Sequence, residues 1–199
     1  MLNFTLLKIS ILHMKKSTFY TFLLKMYFGF KVTRPENAFA SKRRIFVVAP
    51  HTSNWDFPLG ILLRASIGLK VQFIGKHTLF RPPFGFIFRW LGGIPVDRRK
   101  SNNFVDAIVE ALKSYDEISI SLAPEGTRKY TDEFRTGFYW IAQKANLDII
   151  LVKFDWANKV VDFSPIFEKS GNTESDITAI KDYFKGTLGK IPKNSYTSH

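Results

Sequence analysis

The chain has no cysteine among its 199 residues, which excludes disulfides, a thiol nucleophile and any Cys-ligated zinc, and suits a reducing compartment. Long apolar runs are missing as well. The longest stretch free of charged residues, Ile45 to Trp55, is well short of the ~18 residues that a membrane-spanning helix needs. No segment is therefore expected to cross a bilayer as one clean helix. Internal repeats and low-complexity tracts are also absent.

What the chain does have is apolar and aromatic surface. Hydrophobic residues make up 45% and aromatics 16%, with 20 Phe, which is the composition of a folded chain and not of a disordered one. Its length fits one domain with a real core. The formal net charge of +12 is unevenly placed. Residues 1–44 hold nine Lys or Arg against the single acid Glu36, and the same segment carries Phe4, Phe19, Tyr20, Phe22, Tyr27, Phe28, Phe30 and Phe39. A basic, aromatic segment is what an anionic bilayer surface attracts. Nucleic acid would attract the charge but not the grease, so no nucleic-acid partner is expected.

Lys15 and Lys16 precede an apolar run, and Ala38-Phe39-Ala40 imitates a signal-peptidase site. Lys25 splits that run and the spacing is long, so export is not the expected reading. Met14 is a second candidate for the translational start besides Met1.

Residues 17–30 place Phe19, Leu23, Tyr27 and Phe30 on one helical stripe wide enough to predict an interfacial helix, with packing onto the domain's own core as the plain alternative. A polar connector, Thr33 to Arg44, follows. Beyond it the pattern predicts a buried strand at Ile45–Ala49, a helix over Asp56–Gly68, and strands at Lys70–Gly75 and Ile94–Val96. A helix is predicted over Asn102–Ser114, a strand at Ile118–Ala123, a helix over Phe134–Ala145, and strands at Ile149–Phe154 and Val160–Phe163. A last helix is capped near Ser170–Thr173 and ends near Gly186 or Gly189. Strands alternating with helices predict a single α/β domain: a central, mostly parallel sheet flanked by helices, with a hairpin near the C-terminus and an N-terminal membrane-interface helical segment. The expected division is 1–44 membrane-associating segment, 45–190 catalytic domain and 191–199 flexible tail.

In such sheets the chemistry collects at the carboxyl ends of strands. Pro50-His51-Thr52-Ser53-Asn54-Trp55-Asp56 lies between a predicted strand and a helix. Five residues apart, His51 and Asp56 can meet only through a turn, and Thr52, Ser53 and Asn54 supply turn and N-cap chemistry at that point. The imidazole could then give one N–H to the carboxylate and use its other nitrogen as a base. Two more strand ends carry arginine: Gly92-Gly93-Ile94-Pro95-Val96-Asp97-Arg98, and Pro124-Glu125-Gly126-Thr127-Arg128, whose glycine permits close approach to the backbone.

Together these segments resemble the glycerolipid acyltransferase family, whose best known members are the lysophosphatidic acid acyltransferases. His51-x4-Asp56 is similar to its catalytic motif, Gly93 to Arg98 to its Gly-x-x-x-(Val/Ile)-Asp-Arg block, and Pro124 to Arg128 to its Phe-Pro-Glu-Gly-Thr-Arg signature. Phe134-Arg135-x-Gly137 and Lys76-x-x-Leu79-Phe80 resemble further recurrent features. Ala123 stands where the signature usually has Phe, and the block around Asp148 to Lys153 lacks the family's frequent proline.

The resemblance implies transfer of a fatty acyl group from an acyl carrier protein or coenzyme A thioester to the hydroxyl of a lysophospholipid, most simply lysophosphatidic acid. His51 and Asp56 would be catalytic, and Lys76, Arg98, Glu125, Gly126, Thr127 and Arg128 would bind the phosphate-bearing acceptor, Glu125 also organising its loop. No bound cofactor or metal is implied. The expected location is the cytoplasmic face of a membrane, peripheral or monotopic. Apolar residues after Asp56 (Phe57, Leu59, Ile61, Leu62, Leu63) and from Phe80 to Leu91 are candidates for an acyl channel. The rival readings are the same chemistry on a lyso-aminolipid or another lysophospholipid, and an inactive membrane-surface binding protein.

Overall fold

A computed structural model of the chain describes residues 17–96 and 104–196. Its centre is a seven-stranded sheet in the order β1-β7-β6-β2-β5-β3-β4. The strands are β1 (Lys31–Thr33), β2 (Arg43–Ala49), β3 (Gln72–Lys76), β4 (Gly93–Val96), β5 (Ile118–Leu122), β6 (Asp148–Asp155) and β7 (Val160–Phe167). The pairs are parallel apart from the β6–β7 hairpin. The architecture is the α/β domain that the sequence predicts.

The apolar run in β2 explains why the sheet is covered on both faces. Successive strand side chains point to opposite sides. Ile45, Val47 and Ala49 enter one core with Ile149 and Leu151, while Phe46 enters a second core with Ile150, Val152 and Phe154. The first core is closed by α4 (Phe104–Leu112), α5 (Gly137–Lys144) and α6 (Thr173–Phe184), through residues such as Ile108, Ile141 and Ile180. The second is closed by α2 (Asp56–Ser66), through Leu59 and Leu63, and by α1 through Leu24. α1 covers residues 17–28, and its last turn, Leu24–Phe28, is π-helical and ends at Gly29 with φ 69°. A short helix, α3 (Gly85–Trp90), lies between β3 and β4.

The structure differs from the sequence reading at both ends. Lys31–Thr33, of which the sequence reading assigns Lys31 and Val32 to no element and Thr33 to the connector, is a sheet strand paired in parallel with Val160–Asp162 of β7. Three residues are too few for an alternating pattern to register. Leu24 and Phe30 are core residues, and the Ser17 hydroxyl donates to the carbonyl of Ser66 at the end of α2. The 17–44 segment is thus partly built into the domain. Of the predicted stripe, Phe19 and Tyr27 face solvent while Phe30 is buried beyond the helix end. The outward side of α1 carries Phe19, Phe22, Met26 and Tyr27, the last 73% exposed.

At the other end, residues 191–196 are held in place and do not form a free tail. The amide of Ile191 donates to Thr52 Oγ1 at 3.1 Å, the Asn194 side-chain amide donates to the carbonyl of Arg128 at 2.9 Å, and Tyr196 packs on Phe134 with ring centroids 4.6 Å apart. Residues 197–199 lie outside the described residues.

Candidate active site

β2 runs out at Ala49, and the chain turns through Pro50 to begin α2 at Asp56. Within that turn the Nδ1 atom of His51 lies 3.0 Å from Asp56 Oδ2. The same oxygen accepts the backbone amides of Thr52 at 3.0 Å and Ser53 at 2.9 Å. Thr52 and Ser53, two of the three residues expected to supply turn and cap chemistry, aim their amides at the carboxylate. Of the predicted caps, only Ser53 uses its side chain locally, its Oγ accepting from the Trp55 amide at 3.2 Å. Asp56 is buried and sits in the first turn of α2, where the positive end of the helix dipole favours an anion.

The remaining carboxylate oxygen, Asp56 Oδ1, accepts the indole N–H of Trp156 at 2.8 Å. Nothing in the sequence pattern pointed to Trp156, because its partner lies a hundred residues earlier.

The His51 ring keeps 32% of its surface exposed. With Nδ1 committed to Asp56, its Nε2 makes no hydrogen bond with a described residue.

The neighbouring strand end brings in Glu125. Its Oε1 accepts the backbone amide of His51 at 2.9 Å, and its Oε2 is buried with no partner among the described residues. Only 4% of the residue is exposed, and burial pushes its carboxyl up to about 7, with the nearby Asp56 charge adding to the rise and the bond from His51 opposing it. Through this bond Glu125 ties the loop after β5 to the histidine loop.

The other expected residues separate. Gly126 has φ 64°, which favours glycine, and a Cβ there would stand 2.7 Å from the Arg135 side chain and push it aside. The Gly126 amide donates to the Ala123 carbonyl at 3.3 Å. Thr127 Oγ1 accepts from the Lys129 amide at 3.2 Å. Arg128 is exposed, and its guanidinium has no hydrogen bond or ion pair among the described residues. Lys76 is exposed at the carboxyl end of β3, and its ammonium has no hydrogen bond or ion pair among the described residues. Arg98 lies outside the described residues.

Beside His51 and Asp56 opens a cavity of about 210 Å³ between α2 and the second face of the sheet. Phe57, Gly60 and Ile61 of α2, Phe154 and Phe163 of the hairpin, and Ala123 are among its walls. Phe57, Ile61 and Leu63 are the channel candidates that reach it, whereas Leu59 is fully buried in the core and nothing from Phe80 to Leu91 takes part. α3 instead turns Phe86 and Trp90 outward, the latter 83% exposed. Away from His51 and Asp56 the charged wall residue is Arg64, whose guanidinium donates to the carbonyls of Val71 at 2.7 Å and Leu91 at 2.6 Å. Among the described residues there is no cluster able to hold a metal ion.

A mostly parallel α/β sheet with a carboxylate-held histidine at a strand end, opening on a largely apolar cavity, is the arrangement of a candidate active site. Residues 29–154, more than half of the chain, match the model of the acyltransferase family, and the chain belongs to that family. Among solved structures it is similar to the crystal structure of the 1-acyl-sn-glycerophosphate (LPA) acyltransferase, PlsC, from Thermotoga maritima, with a TM-score of 0.53 and 17% identity over 85% of this chain and 77% of that one. The likeness bears out the fold. No curated protein matches the sequence at a significant level.

Proposed function

We propose that the protein transfers a fatty acyl group from a thioester, acyl carrier protein or coenzyme A, to the free hydroxyl of a lysophospholipid, with lysophosphatidic acid the acceptor that gives phosphatidic acid. The observation that carries this reading is the hydrogen-bonded His51–Asp56 pair at the wall of the apolar cavity. Nε2 of His51 takes the proton of the acceptor hydroxyl as its oxygen attacks the thioester carbonyl. The C–S bond breaks, and the leaving thiolate takes the proton from the His51 imidazolium, which restores the neutral ring. Asp56, held by donors on both oxygens, keeps Nδ1–H in place and offsets the imidazolium charge that forms. A thiol of ordinary pKa near ~8.5 needs no strong general acid to depart. Direct transfer also suits a chain without cysteine.

The exposed guanidinium of Arg128 on the loop that follows Glu125 is the first candidate to hold the acceptor phosphate, with Arg98 and Lys76 as further cations. The acyl chain lies in the cavity under α2. Lipid reaches the site from a membrane surface on which the protein sits peripherally, on the cytoplasmic side. The outward aromatics of α1 and α3 support contact with a membrane surface, and no helix among the described residues is long and apolar enough to cross a bilayer.

The deciding experiment supplies purified protein with a panel of lysolipids and both donor types and identifies products by mass. Phosphatidic acid from lysophosphatidic acid is the expected product. Product only from a phosphate-free lyso-aminolipid would move the acceptor, and no product from any pair would remove the reading.

A further inference from the structure

We infer that Trp156 is a positioning residue for the His51–Asp56 pair, a role that rests on the acyl-transfer reading above. The four donors to the Asp56 carboxylate are unevenly divided. Oδ2 takes three, from His51, Thr52 and Ser53, all within the turn that Asp56 itself closes. Oδ1 takes one, the Trp156 indole N–H at 2.8 Å, which among the described residues is the only hydrogen bond from the carboxylate to a residue outside that turn. A carboxylate held on one oxygen can pivot about that oxygen. Held on both, its plane is fixed, and with it the direction in which it accepts Nδ1–H of the histidine.

The indole is itself fixed by three separate parts of the chain. Phe28 and Phe30 meet it edge-on, with ring centroids 6.0 and 5.1 Å away. The ammonium groups of Lys159 and Lys190 stand 4.9 and 4.6 Å from its ring centroid. Cations over an indole draw electron density from it, which strengthens its N–H as a donor and places positive charge behind the carboxylate. The Trp156 amide donates to the Leu188 carbonyl at 2.9 Å, and the strand of chain that follows packs on the histidine loop so closely that a Cβ at Gly189 would stand 2.4 Å from Thr52 Oγ1. Trp156 and residues 188–191 lie beyond the 29–154 stretch that matches the family. The outer support of the pair thus comes from the part of the chain that follows that stretch.

The test uses the full chain with Trp156→Phe and Trp156→His, assayed with lysophosphatidic acid and an acyl thioester and followed by thermal melting. Phe keeps a ring but has no N–H. In His the five-membered ring superposes on that of indole, so Nε2 falls where Nε1 was, although more packing is lost. A positioning role predicts opposite orders in the two readouts. Trp156→Phe loses roughly ten- to hundredfold in kcat with KM for both substrates within about twofold of wild type, while Trp156→His melts lower than Trp156→Phe yet retains more kcat. Equal kcat in Trp156→Phe and wild type, or a kcat order that follows melting temperature, overturns the inference while leaving the acyl-transfer reading intact. Absence of transfer by the wild-type chain overturns both.

Discussion

The backbone amide of His51 donates to Glu125 Oε1 at 2.9 Å, so the loop that follows β2 and the loop that follows β5 are joined by one buried carboxyl group whose second oxygen has no donor among the described residues. The cost of that arrangement appears when the group ionises. With its carboxyl raised to about 7 in the folded chain and near 4.5 when unfolded, Glu125 contributes stability in full below about pH 4.5 and loses it as pH rises toward 7. Glu125→Gln keeps an oxygen for the His51 amide and removes the charge. The variant should gain on wild type between pH 4.5 and 8, by up to about 3 kcal/mol at the upper end. The check is the difference between the two unfolding curves measured in parallel at each pH, and a difference that does not change with pH would contradict the assignment.

His51→Ala should abolish acyl transfer without altering the far-ultraviolet spectrum, because the ring is at the cavity wall and a third exposed. Asp56→Asn should lower kcat by about 10³-fold or more, since an amide cannot both accept from Nδ1–H and offset the imidazolium. Retained turnover in His51→Ala would remove the base from the scheme.

Gly60 lines the cavity from the middle of α2, and a Cβ there would reach Phe154 at an ordinary contact distance of 4.0 Å. Gly60→Val therefore fits locally but extends branches into the cavity. Long acyl thioesters should show a rise in KM of roughly tenfold relative to short ones, the effect of a few displaced methylenes. A chain-length series of donors reads the shift, and an unchanged profile would place the acyl chain elsewhere.

Arg128→Ala should raise KM for lysophosphatidic acid by roughly ten- to hundredfold, the worth of a charged hydrogen-bonded contact. A phosphate-free acceptor should be little affected. Equal losses on both acceptors would count against a phosphate contact.

The double variant Phe22→Ser, Tyr27→Ser should weaken binding to anionic phosphatidylglycerol vesicles about tenfold or more, as apolar surface is withdrawn from the bilayer. Both side chains are exposed, so melting in lipid-free buffer should move little. Co-sedimentation with vesicles supplies the measurement.

The sequence reading and the structure agree where information is local. The run Ile45 to Ala49 and the polar turn after it announced a strand end with a histidine, and residue order alone required a bend to bring His51 to Asp56. Glu125 was marked by its motif, but its burial was not, because which side of a loop faces inward depends on what the neighbouring strand places there.

His51, Asp56 and the alternation of strand with helix were thus written in stretches of a few residues, where turn chemistry and apolar period act directly. The support behind them was decided only by folding. Trp156 meets Asp56, Lys31 pairs with Val160 and Ile191 meets Thr52 across separations of a hundred residues or more. Contacts of that span arise from how the sheet orders its strands, and no short-range periodicity carries a trace of them.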